Sequence, residues 1–201
     1  MDKLLSEIPL WAFVISFLII LLAVIALVVK WAGKVARRRL EPLATALGGG
    51  EIKGGFFSGT YIRLFNYDPE VRIEFERGGE NEPRKLILRQ VSLLDFNLDI
   101  SKESRLTSTL RRIGLHLDFK VGDPLFDEKY LLISSQPVAS KNFLLSGSRR
   151  ESVDYFFHNG FTRLSTDEIS VSAEKENYTK QDLDPNKIRN HLDQLKKFVS
   201  G

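Results

Sequence analysis

The chain has 201 residues, 29 basic and 26 acidic side chains, a formal charge of +3 and no cysteine. The missing cysteine excludes disulfide frameworks, iron–sulfur ligation, thiolate zinc sites and a cysteine nucleophile. The positive charge does not indicate nucleic acid: residues 51–201 carry 23 basic and 23 acidic side chains, so the whole excess lies in residues 1–50.

After a short tail (1–7), an uncharged apolar run extends from Ile8 to Val29. As a helix its 22 residues would span about 33 Å, enough for the hydrocarbon core of a bilayer. The run is too long for a cleaved signal, and its basic residues follow it instead of leading it. Trp11 and Trp31 stand near its two ends, where indole rings favour the headgroup layer. Lys30, Lys34, Arg37, Arg38 and Arg39 come next, against Lys3 alone before the run. These side chains anchor to lipid headgroups, and the charge bias puts the N-terminus outside and the soluble domain in the cytoplasm.

Residues 8–39 thus read as one transmembrane helix with a basic extension. Leu40-Glu41-Pro42 is expected to break or kink it, since proline removes a donor and restricts the residue before it. Leu43, Ala44 and Leu47 fit one more turn, and Gly48-Gly49-Gly50 reads as a flexible hinge. A phosphate cradle there lacks both the Gly-x-Gly-x-x-Gly register and a following Gly-Lys-Ser/Thr. Residues 40–50 then link the anchor to a soluble domain, 51–201. Within the span no Gly-x-x-x-Gly face occurs, so tight pairing of two such helices is not indicated.

In the domain, 61–65, 71–75 and 85–91 alternate as strands around turns at Asn66-Tyr67-Asp68-Pro69 and Gly78–Pro83, and 94–100 continues with period two. Ser101 reads as the cap of a helix carrying Leu106, Leu110 and Ile113. Strands follow at 115–121 and 130–134. Ser148-Arg149-Arg150-Glu151 fits a capping box opening a helix to Asn159-Gly160. A hairpin pairs 161–164 with 169–173. Asp184 caps a last helix, with Pro185 at its first position and Ile188, Leu192, Leu195 and Val199 as its apolar stripe. The fold class is α+β: an N-terminal membrane helix, then a mostly antiparallel sheet with two or three packed helices.

Little here suggests catalysis. Gly122-Asp123-Pro124-Leu125-Phe126-Asp127 is the sharpest local signature. Asp123 and Asp127 offer a carboxylate pair, but the structural reading is stronger: Gly122 turns the chain, Asp123 caps a helical turn begun by Pro124, and Phe126 plugs the core. His116, His158 and His191 lie on separate elements without metal-ligand spacing, and no cofactor signature appears. The arginines of the strand-rich half, Arg63, Arg72 and Arg89 among them, interleave with glutamates and read as a salt-bridged wet face.

The run from Phe119 to Tyr130 resembles a motif of uncharacterised bacterial single-pass membrane-anchored proteins, in which a Gly-Asp-Pro-x-Phe-Asp turn lies in an α+β soluble domain. There it precedes a strand, a helix near a Leu-Leu pair (here Leu144-Leu145) and a closing hairpin and helix. Gly59-Thr60-Tyr61-Ile62-Arg63 matches an upstream element. The resemblance implies the architecture and a bacterial inner membrane, but no activity or ligand. The expected function is that of a non-enzymatic accessory or structural subunit, or a tether, whose partners are the bilayer and an integral-membrane protein. A membrane-anchored ligand-binding or sensory module is the alternative, and a hydrolase using Asp123 and Asp127 is third.

Overall fold

The computed structural model describes residues 10–54, 59–76, 78, 82–102 and 118–201. Strands β1 (Gly50–Gly54), β2 (Thr60–Leu64), β3 (Val71–Glu76), β4 (Lys85–Val91), β5 (Leu98–Lys102), β6 (Tyr130–Ser134), β7 (Arg163–Thr166) and β8 (Ser170–Glu176) form one sheet. Its order is β1-β2-β3-β4-β8-β7-β5-β6, and each pairing is antiparallel.

Period-two patterning sets the register. Ile52, Ile62, Ile73, Leu88, Ala173, Leu164, Ile100 and Leu132 are successive cross-strand partners, and all but Ile52 are buried. The adjoining row, Glu51, Arg63, Arg72, Arg89, Ser172, Ser165 and Asp99, points to the opposite face. A one-residue slip in any strand would exchange the two rows, so burial of the first fixes every pairing. On the polar face Glu70 takes Arg63 and Arg72 at 2.6 Å each, and Arg89 reaches Glu74 at 2.9 Å. Hydrogen bonding from Arg72 holds the Glu70 carboxyl below its usual range. That arginine row is neutralised by its own glutamates.

Helices α1 (Leu10–Ala46), α2 (Pro124–Lys129), α3 (Pro137–Leu144), α4 (Gly147–His158) and α5 (Pro185–Ser200) complete the described structure, with a 3₁₀ turn at Lys180–Leu183. The class is α+β. Helices α4 and α5 cover the apolar face with Val153, Phe156, Phe157, Ile188, Leu195 and Phe198. Asp184 caps α5, accepting from the N–H groups of Asn186 and Lys187. Arg149 closes the other end: its guanidinium donates to the carbonyls of Phe198 (3.2 Å) and Phe143 (3.0 Å) and lies 4.0 Å over the Phe143 ring. One cation thereby satisfies terminal carbonyls of two helices, where the backbone dipoles favour positive charge.

Several elements depart from the sequence expectation. Helix α1 does not end at Arg39 but continues through Pro42 to Ala46. Pro42 deprives only the Arg38 carbonyl of a donor, and Arg38 is exposed, so water can replace it. The helix then ends at the glycines: Gly49 N–H donates to Ala44 O (2.9 Å) and Gly48 N–H to Thr45 O (3.1 Å), the paired bonds of a Schellman cap. Gly48 has φ +96°, which side chains disfavour, and Gly50 is already the first residue of β1. Ser101 is no helix cap: it lies in β5 between Leu131 and Arg163, and the helix expected around Leu106–Ile113 lies outside the described residues. The cap of helix α4 lies two residues before the expected one, at Ser146 instead of Ser148. Helix α3 was not expected: Pro137 at its first position is a start signal, but Gln136 before it makes no side-chain cap. Of the strand expected at 115–121 the described part pairs Asp118 with Ile133.

Candidate functional site

Helix α1 is 37 residues long, about 55 Å, and long and apolar enough to cross a membrane. From Val14 to Val28 its described side chains are exposed, and Trp11 and Trp31 are 65% and 69% exposed. A soluble helix hides one stripe, whereas this one hides none of its described side chains from Val14 to Val28. Lys30, Lys34, Arg37, Arg38 and Arg39 are all exposed on the segment between the apolar stretch and the domain.

The other end of α1 is built into the domain. Leu43, Ala44 and Leu47 are buried members of the single core cluster, with Leu40 packed against it. Arg189 of α5 donates to the Ala46 carbonyl, and Arg37 reaches Ile52 O in β1 at 3.5 Å. The helix therefore enters the core by its last two turns, and β1 leaves from the same point.

Between α1 and the nearby end of the sheet lies a cleft of about 1060 Å³. Val35, Arg39 and Leu40 of α1 form one wall. Thr60, Phe75, Glu76 and Arg84 form the second, and Tyr178, Lys180 and Leu183 the third. Asn177, at φ +52°, ties the third wall to the second by donating to Arg84 O at 2.7 Å. Asp182 fixes the turn carrying Lys180, accepting from Thr179 N–H (2.8 Å), Thr179 Oγ1 (2.9 Å) and Lys175 Nζ (2.7 Å). Burial works against the Asp182 charge, but these bonds outweigh it and bring its pKa to about 2. Sequence reasoning singled out neither Tyr178 nor Lys180 nor Leu183. No local signal marks them, since three chain-distant segments meet to make the cleft.

The Gly122–Asp127 turn is occupied by structural work. Asp123 Oδ1 caps α2 at Leu125 and Phe126 N–H (3.1 and 3.3 Å), and its other oxygen lies 3.3 Å from Arg150. Pro124 takes the first helical position, Phe126 is buried and Gly122 has φ +100°. Asp127, 8% exposed, accepts from Val121 and Gly122 N–H at 2.9 Å each. The two carboxylates thus answer separate sets of backbone donors and share no site. Asp127→Ala is expected to cost about 2–4 kcal/mol by stranding two donors at this buried turn, and Asp127→Asn less, because one acceptor remains. Urea unfolding of the two variants checks the order.

Among the histidines, His116 lies outside the described residues and His158 is exposed. His191 is 4% exposed, 3.0 Å from Tyr155 Oη and edge-on to Phe161 at 5.1 Å. Burial, helped by nearby Lys175, lowers its pKa to about 4, so it is neutral at pH 7. Among the described residues no three His, Asp or Glu side chains are grouped to hold a metal ion.

Protein-family models, curated proteins and solved structures were all compared with this chain, and none matches.

Proposed function

We propose that this is a single-pass membrane protein that acts through contacts and not through catalysis, as an accessory or structural subunit or tether of a larger membrane assembly. The observation that carries the reading is the contrast within α1. Its apolar stretch is exposed on every side, while its last two turns are buried in the domain. An apolar surface of that extent calls for lipid or other membrane helices, and its rooting in the core holds the domain at a set height above the bilayer. The five basic residues after the span favour a cytoplasmic domain, at the inner membrane of a bacterium.

The test is alkaline-carbonate extraction followed by gentle-detergent purification of the full chain from its native membrane, with mass spectrometry of what remains bound. The expected result is retention in the carbonate pellet and a stoichiometric integral-membrane partner. Release by carbonate overturns the anchor, and recovery alone as a monodisperse species overturns the subunit reading. A reporter fused after Gly201 is expected to signal from the cytoplasm, and an external signal reverses the orientation.

A further inference from the structure

We propose that the cleft between α1 and the sheet binds one anionic phospholipid, with the phosphate at Arg39, Arg84 and Lys180 and the acyl chains leaving past Val35 toward the bilayer. This rests on the membrane-anchor reading. Three observations converge on a lipid.

The first is position. Val35 and Arg39 lie five and nine residues beyond Lys30, about 8 and 13 Å along the helix axis. The headgroup layer on each side of a bilayer is about 5–8 Å deep. Val35 therefore stands at the outer edge of that layer and Arg39 about 5 Å above it, so the cleft opens just over the headgroups, beside the helix that crosses the bilayer.

The second is charge. Among the described residues that line the cleft, Arg39, Arg84 and Lys180 meet one carboxylate, Glu76. Among the described residues none of the three cations is held in an ion pair, whereas Arg63, Arg72, Arg89 and Arg163 on the sheet's polar face all are. A phosphodiester can take three cations from three directions, with the arginines offering forked donors.

The third is the mixed lining of a preformed space. Leu40, Phe75, Tyr178 and Leu183 supply apolar surface next to the cations, and Phe75 and Tyr178 pack with ring centres 6.0 Å apart. The walls are fixed without a ligand, through Asn177 N–H on Arg84 O and through Asp182 under Lys180. At about 1060 Å³ the space exceeds what a free phosphate would fill and suits a headgroup with part of its chain.

The experiment uses the full-length protein in nanodiscs of equal phosphatidylglycerol and phosphatidylcholine. Lipid retained per chain is then read by native mass spectrometry after release into detergent. One phosphatidylglycerol per chain is expected. Arg39→Gln, Arg84→Gln and Lys180→Gln should each weaken retention about fivefold and the triple variant about a hundredfold, from the usual strength of a basic residue at an anionic surface. Lys30→Gln with Lys34→Gln, outside the cleft, should leave the bound lipid in place. Thermal unfolding of the triple variant at the parent's midpoint shows that its fold is intact.

Equal retention of the two lipids, or unchanged retention in the triple variant, overturns the site. So does equal loss in the Lys30/Lys34 variant, which would make the effect a general surface attraction. Displacement of the lipid by glycerol 3-phosphate at matching concentration would assign the cleft to a soluble phosphate. Carbonate extraction of the same preparations scores the anchor separately: a chain that stays in the membrane but retains no lipid refutes the site alone.

Discussion

Replacing Leu43 and Leu47 together by Ala is expected to destabilise the soluble domain by about 5 kcal/mol, although Leu43 belongs to the helix that begins in the apolar span and Leu47 directly follows its end. Each is buried, at 7% and 5% exposure, and packs into the cluster that holds the sheet rows and α5. Buried Leu→Ala changes cost about 2–5 kcal/mol apiece, and neighbours one turn apart share a cavity, so the two need not add in full. Domains of this kind hold about 5–15 kcal/mol in total, so the double variant should be largely unfolded at modest urea. The paired control is Leu18→Ala with Leu22→Ala, exposed residues of the same helix, which should leave the urea midpoint in mild detergent unchanged. A Leu43/Leu47 variant within 1 kcal/mol of the parent would separate the helix from the core. For the same reason a chain beginning at residue 51 should fold poorly beside one beginning at residue 40.

This junction shows where sequence reading succeeds and where it stops. Strands β2 and β3 were legible because one face of each is wet, so apolar and polar residues alternate, whereas β4, β6 and the β7–β8 hairpin were legible as short apolar stretches set off by turn residues. The Asp184-Pro185 start of α5 and the Asp123-Pro124 start of α2 were legible because a cap and a helical proline are local chemistry. The course of α1 was not. Pro42 and three glycines suggest a break and a linker, and only tertiary burial of Leu43 and Leu47 explains a helix that continues past the proline. Strand β1 shared that fate: Gly50-Glu51-Ile52-Lys53-Gly54 has no alternation of its own and exists because β2 pairs with it. The cleft was illegible for a further reason. Arg39, Arg84 and Lys180 are ordinary surface residues in one dimension, and only folding brings them together.

The second large effect is a loss of stability in mild acid, centred on His191. Its folded pKa of about 4 lies below the unfolded value of 6.5, so the native state prefers the neutral ring. A depressed pKa contributes stability that is complete above about pH 6.5 and is lost as pH falls to 4, because the unfolded chain takes up the proton first. The shift corresponds to roughly 3 kcal/mol. Tyr155 at 3.0 Å, Lys175 and Lys187 on the unfavourable side and Asp182 on the favourable one are the groups that face the ring. Asp182, at about 2 in the fold against 3.8 unfolded, loses its own contribution as pH falls from around 4 toward 2, so it adds little to a decline measured between pH 7.5 and 4.5. Urea unfolding at pH 7.5, 5.5 and 4.5 should show the decline, and His191→Gln should flatten it, since that side chain cannot titrate. An equal slope in parent and variant would place the acid sensitivity elsewhere.

Because the chain has no cysteine, two spin labels can be placed without competing thiols. Labels at Lys34→Cys, on α1, and Lys187→Cys, on α5, are both exposed and lie on opposite sides of the junction. Pulsed dipolar spectroscopy of this pair in nanodiscs measures directly whether the helix leaving the membrane and the domain move as one body. A single narrow distance distribution is the predicted result, from a helix capped at Gly48-Gly49 with Leu43 and Leu47 locked in the core. A broad or multiply peaked distribution would mean that the glycines act as a free hinge, and would contradict the account.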